Sequence, residues 1–171
     1  NCYIVKIANY GTNWIQENSP TSQTLYEISY PDSSNFIWTV GIGGTILKNI
    51  PNWKRKINMV HTCNAVSFIN QYTGWVVGDT ASIWKTTESG TNWIYQNSPS
   101  SGRDLYSVYF IDANTGYAVG EDGIKLKTTN GGSWIDLNPP NYDHLYSVYF
   151  IDANTGYTVG SNGTILKTTN G

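Results

Sequence analysis

The sequence predicts an all-β chain folded as a β-propeller of four-stranded antiparallel blades, built on a repeat of about 40 residues. Two observations carry this. Residues 105–120 read LYSVYFIDANTGYAVG and residues 145–160 read LYSVYFIDANTGYTVG, so one segment recurs at an offset of 40 with a single change, Ala118 against Thr158. Trp14, Trp53, Trp93 and Trp134 keep the period independently, at spacings of 39, 40 and 41 residues. The offset then aligns weaker copies. Leu25, Cys63, Leu105 and Leu145 share one repeat position, and Gly41, Gly78, Gly120 and Gly160 share another.

The elements follow in order within the third copy. Tyr106, Val108 and Phe110 alternate with Leu105, Ser107 and Tyr109, and both sets are largely apolar, which predicts a first, innermost strand covered on both faces. Asp112-Ala113-Asn114-Thr115-Gly116 reads as a turn, because an Asx side chain bonds backbone amides two residues on and Gly accepts positive φ. A second strand over 117–120 leads through Glu121-Asp122-Gly123 into a third over 124–128. After the turn at Asn130-Gly131-Gly132 comes a fourth strand over 134–137, closed off by Pro139-Pro140. No segment has helical periodicity, which separates this repeat from the helical solenoids of similar period.

Repeat boundaries divide the chain into a partial blade at 1–20, blades at about 21–59, 60–101 and 102–142, and a partial blade at 143–171. The chain opens and stops within blades, so the expectation is one domain that is an incomplete part of a larger propeller.

Composition narrows function by exclusion. A formal net charge of −2 generates no field that would recruit nucleic acid or an anionic membrane. No apolar run approaches the ~20 residues of a membrane span. Cys2 and Cys63 fall at different repeat positions and make no CxxC pair, so free thiols are expected. Scarce Lys with abundant Asn, Thr and Tyr points to an exported protein, extracellular, cell-surface or periplasmic.

The motifs Val-x-Phe, Gly-Tyr-x-Val-Gly, Gly-Thr-Ile-Leu-Lys-Thr-Thr and Gly-Gly-x-Trp resemble the repeat of photosystem II stability/assembly factor-like propellers. Thr86-Thr87-Glu88-Ser89-Gly90-Thr91-Asn92-Trp93 is also similar to the Asp-box of sialidase-type repeats, with Glu88 for Asp and Asn92 for Thr. That resemblance implies a structural hairpin between the third and fourth strands, its Trp packed between blades. It also implies a docking platform for another protein, or an adhesion or scaffolding module. Only two arginines, Arg55 and Arg103, are present, too few for the three-arginine carboxylate site that sialidase chemistry uses. The other enzymatic branch, glucan hydrolysis by two carboxylates in a cleft between propellers, is the alternative function. Asp112 and Asp152 occupy one turn position with Asp32 and Asn70 as counterparts, and residues that recur in every blade are expected to serve the blade.

Departures from the repeat are the better functional candidates. Arg103-Asp104, Asp143-His144, and Lys54-Arg55-Lys56 with His61 precede the third, fourth and second blades, and are read as inter-blade connections that form a binding face. Arg55, His61, Arg103, Asp104, Asp143 and His144 are therefore the candidate site residues. His61 and His144 lack ligands at metal-binding spacing, and neither a metal nor a cofactor is expected. Trp38, Trp75 and Trp84 replace Tyr or Leu of other copies and are read as packing. The expected partner is a protein. A glycan stacked on exposed aromatic rings is the second candidate, and no catalysis is expected.

Overall fold

The computed structural model describes residues 2–8, 13–31, 36–49, 52–137 and 143–171, so Asp32, the 9–12 segment and the Pro139-Pro140 terminator lie outside the described residues. Among the described residues seventeen strands form five antiparallel sheets. The first sheet pairs β1 (Ile4–Ala8) with β2 (Asn13–Glu17). Three four-stranded meanders follow. They comprise β3 (Leu25–Ser29) to β6 (Trp53–Asn58), β7 (Cys63–Phe68) to β10 (Ile94–Gln96), and β11 (Leu105–Phe110) to β14 (Trp134–Asp136). The last sheet joins β15 (Leu145–Phe150), β16 (Gly156–Gly160) and β17 (Ile165–Thr168). The third and fourth strands of the third blade are each one residue shorter than the pattern predicts. These five sheets are blades 0 to 4 below.

First strands are innermost. β3 touches β7, β7 touches β11, and β11 touches β15. β11 is buried over most of its length, whereas the fourth strand β10 is mainly exposed. The Asx turns form as the residue types dictate: Asp112 Oδ1 accepts the amides of Asn114 and Thr115 at 2.7 and 2.8 Å, and Asp152 and Asn70 repeat the arrangement. These amides hold the Asp112 and Asp152 carboxyls below the usual carboxylate range. In the box-like segment Thr86 Oγ1 accepts the amides of Glu88 and Gly90, and Glu88 accepts from Asn92 Nδ2, closing the hairpin that delivers Trp93.

Among the described residues no backbone ladder runs between blades, so side chains join them. Phe68 of blade 2 stacks on Trp38 of blade 1 with centroids 4.3 Å apart; Phe110 stacks on Trp75 at 3.5 Å and Phe150 on Tyr117 at 4.0 Å. Trp93 meets Trp38 and Phe68 edge-on, and Trp134 meets Phe110 likewise. The Lys48, Lys85 and Lys127 ammonium groups lie over Trp38, Trp75 and Tyr117. Each such ring contributes roughly 2–3 kcal/mol through burial, which makes the joint the main core of the molecule. Short polar bonds set the register between first strands: Ser29 Oγ accepts the Phe68 amide, Ser67 Oγ that of Phe110, and Ser107 Oγ that of Val148.

One joint differs. Where blade 3 uses Ser107, blade 1 places Glu27, whose carboxylate accepts the Val66 amide across the joint. Burial pushes the Glu27 carboxyl up to about 7, against the opposing pull of the Val66 bond. The repeated glycine is explained by crowding. A Cβ on Gly120 would lie 2.0 Å from the Asp104 carbonyl oxygen, and Gly41, Gly78 and Gly160 face the same obstacle from Thr24, Thr62 and His144.

Two outcomes are expected. Because the folded-state pKa of Glu27 lies above its unfolded value of 4.5, the native state holds the proton more tightly. Stability is then fully retained below about pH 4.5 and declines as pH rises through 7. Thermal melts from pH 4 to 8 should show a loss of about 1–3 kcal/mol. Glu27→Gln, which keeps an acceptor for Val66, should flatten that profile. Gly120→Ala should destabilise by about 2 kcal/mol or more in urea denaturation, whereas an exposed substitution such as Ser133→Ala should be nearly silent.

Candidate functional site

Each second strand ends in a 3-10 turn, and each inter-blade connection runs beside one. The carbonyls of Thr24, Thr62, Asp104 and His144, the residues just before the first strands, accept the amides of Ile42, Asp79, Glu121 and Ser161. The connections and the turns therefore share one face of the propeller. His61, Arg103 and Asp143 each sit one residue earlier, so five of the six candidates gather there. Arg55 does not. Residues 54–56 belong to the outer strand β6 rather than to a connection, and Arg55 reaches Thr45 Oγ1 with Nη2 at 3.3 Å. The charges of 54–56 read as a loop, but their backbone pairs with β5 as an edge strand, where exposed cations are common.

Two candidates act between blades. The middle residue of each 3-10 turn has a left-handed backbone: Gly43, Thr80, Asp122 and Asn162 at φ 64, 56, 51 and 54°. Such a conformation is costly for Thr80 above all, since its branched Cβ crowds the backbone. The next blade supplies a compensating bond. Asp104 Oδ1 accepts the Thr80 amide at 2.9 Å, and His144 Nδ1 accepts the Asp122 amide at 3.2 Å, a geometry that requires an unprotonated Nδ1. Arg103 turns inward to Ser100 Oγ and lies 3.6 Å from the Asp136 carboxylate. Asp143 accepts from Asn162 Nδ2 and Thr164 Oγ1 in its own blade, bonds that hold its carboxyl below the usual range. His61 is exposed.

The structure adds residues that sequence reasoning passed over. Tyr106 and Tyr146, one position into their first strands, lie 5.9 Å apart, and each is 6.3 Å from the His144 ring. Burial, reinforced by Glu121, Asp104, Tyr146 and Asp122, raises the Tyr106 hydroxyl above the usual phenol range. The available signal was the variation at this position, Tyr26, Asn64, Tyr106 and Tyr146, in an otherwise regular strand. The face is thus aromatic with an acidic surround of Asp104, Glu121, Asp122 and Asp143, while the nearby Arg103 is directed to Asp136. Such a surface can hold a cation against a ring face and carboxylates. Among the described residues no cluster of His, Cys, Asp and Glu could hold a metal ion. Cys63 is a buried free thiol, its pKa pushed up to about 12 by burial, and Cys2 is free and half-buried.

Asp104→Ala should cost about 1 kcal/mol in chemical denaturation by releasing the strained Thr80 amide, and Asp104→Asn, which retains an acceptor, should cost less than half as much.

Among solved structures, YCF48 from Cyanidioschyzon merolae superposes with a TM-score of 0.77 at 18% identity, over 97% of this chain and 63% of that one. A structure of YCF48 bound to D1 peptide gives 0.62 at 18% identity, over 88% and 56%. An ancestral GH74 enzyme gives 0.68 at 21% identity, over 86% of this chain and 23% of the enzyme. At these identities the likeness is one of fold. The chain spans about three fifths of the Cyanidioschyzon protein's length. No curated protein sequence matches it. Residues 2–129 match the sequence model of the photosynthesis system II assembly factor YCF48 family, and the chain belongs to that family.

Proposed function

We propose that this protein is a non-catalytic docking module that binds another polypeptide on the face carrying Tyr106, Tyr146 and His144. Membership of the YCF48 family carries the reading, and a YCF48 structure bound to a D1 peptide supports it. The aromatic pair with its acidic surround favours an extended partner segment that presents Lys or Arg side chains. Docking needs only a rigid surface, and the inter-blade clasps at Asp104 and His144, residues that adjoin these tyrosines in the chain, provide one. The carboxylates that recur once per blade, Asp112 and Asp152, are engaged in turns. Four of the seven tryptophans are buried, and Trp14 is 64% exposed. An exported bacterial setting accords with the scarcity of Lys.

Selection of a random peptide library on the immobilised chain should return binders enriched in Lys or Arg. The double variant Tyr106→Ala/Tyr146→Ala should bind them about tenfold or more weakly, with its melting temperature retained. Equal binding by the double variant would move the site elsewhere, and turnover of β-glucan oligosaccharides by the chain would replace docking with hydrolysis.

A further inference from the structure

The joint between blades 1 and 2, two complete meanders, gathers hydrogen-bond donors without acceptors. Among the described residues the indole N–H groups of Trp38, Trp84 and Trp93 are buried and unpartnered. All three rings belong to one core, in which Trp38 is fully buried and Trp84 and Trp93 pack against it. The indoles of the neighbouring joints are paired. Trp53 donates to the Glu17 carboxylate, Trp75 to the Gly131 carbonyl at 3.2 Å and Trp134 to Gln96 Oε1 at 2.9 Å. A donor buried unpaired has lost its hydration with no return, and a bound acceptor relieves that cost.

The joint between blades 2 and 3 shows where such donors converge. Trp75 Nε1 and Gln96 Nε2 both donate to the Gly131 carbonyl, at 3.2 and 3.1 Å, and a Cβ on Gly131 would lie 3.0 Å from the Lys85 ammonium. Trp38, Trp93 and Lys48 hold the Trp75, Trp134 and Lys85 positions of the repeat, but both acceptors are changed. Three residues after the repeat Trp, blade 0 has Glu17 and blade 2 has Gln96, whereas blade 1 has Lys56. Ser89, the counterpart of Gly131 by its amide bond to the Tyr72 carbonyl, receives no indole from Trp38.

Charge is an independent observation. Residues 33–78 contain no Asp or Glu but four of the ten Lys and Arg of the chain. Lys48 is only 2% exposed, its Nζ 4.7 Å from the Trp38 ring centre and 4.2 Å from that of Phe36, and among the described residues no carboxylate pairs with it. Burial, with the charge of Lys56, lowers the Lys48 pKa below the usual lysine range. A buried ammonium group without a counter-charge favours an anion beside it.

We propose that the joint formed by Trp38, Trp93 and Lys48, with Lys56 on the outer strand, is a binding site for a free dianionic oxyanion of the phosphate or sulfate class. Two lysines match two negative charges, and the oxygens of a tetrahedral ion accept indole N–H groups from separate directions. A small ion suits a site whose central ring is fully enclosed. The site lies in another joint than Tyr106 and Tyr146 and does not rest on the docking reading.

Inorganic phosphate and sulfate, titrated into the 171-residue chain at about pH 8 with ionic strength held constant by sodium chloride, are the probes. NMR of the indole N–H groups, assigned with Trp→Phe variants, should show saturable shifts confined to Trp38, Trp84 and Trp93, half-complete at or below about 1 mM. Acetate, a monoanion, should bind about tenfold more weakly. Lys56→Gln, which places at 56 the side chain that Gln96 supplies to Trp134, should weaken phosphate binding about tenfold or more while its melting temperature in phosphate-free buffer is held or raised. Trp93→Phe, which keeps a ring and removes the N–H, should weaken it as well. Equal shifts with chloride alone, unchanged binding in either variant, or shifts centred on Trp75 and Trp134 would overturn the site. Phosphoserine binding as tightly as phosphate would overturn the free ion in favour of a phosphorylated partner.

Discussion

A propeller blade satisfies its backbone hydrogen bonds within its own meander and leaves its faces to be covered by neighbours. In this protein the covering depends on one repeated contact: a Phe from the innermost strand laid flat on an aromatic ring of the preceding blade's second strand. Trp38–Phe68, Trp75–Phe110 and Tyr117–Phe150 are the three instances. A lysine lies over the second-strand ring of each stack, and in two of them a Trp at or just before the start of the fourth strand closes an edge. Ring stacking is directional enough to set the distance and tilt between sheets that share no ladder. The serine-to-amide bonds between first strands then align the blades lengthwise.

That joint explains where chemistry is available. Most residues that recur once per blade are engaged by it or by the turns beside it, so they carry little freedom to bind anything else. The connections on the turn-bearing face show an intermediate case. Asp104 and His144 break the repeat, as a binding residue would, yet each stabilises a left-handed turn in the preceding blade. Their structural role places Tyr106 and Tyr146 on a surface that cannot easily rearrange, which suits recognition better than catalysis. Glu27 makes the opposite compromise, a half-buried carboxyl where a serine serves elsewhere, and ties the first joint to pH.

Much of this was written in the period of the chain. The identity of 105–120 and 145–160 located strands, turns and blade order, because short strands, Asx turns and glycine positions are local and each copy repeats them. The packed tryptophans were legible too, since Trp38 and Trp75 stand at strand positions and are fully buried. The 54–56 run was misread because charge alone does not separate a loop from an exposed edge strand. Tyr106 and Tyr146 were passed over because an aromatic in a strand gives no sign of whether it faces the core or the solvent.

What the sequence determined by itself is therefore the blade and its count along the chain. Only the tertiary structure decided which side chains meet across the joints: Phe68 with Trp38, Asp104 with Thr80, Tyr106 with Tyr146, Tyr117 with Phe150. The partners in these pairs lie 24 to 40 residues apart, well beyond the reach of local propensity. The strand pattern says that a face must be covered, but blade rotation and spacing select the atoms that cover it.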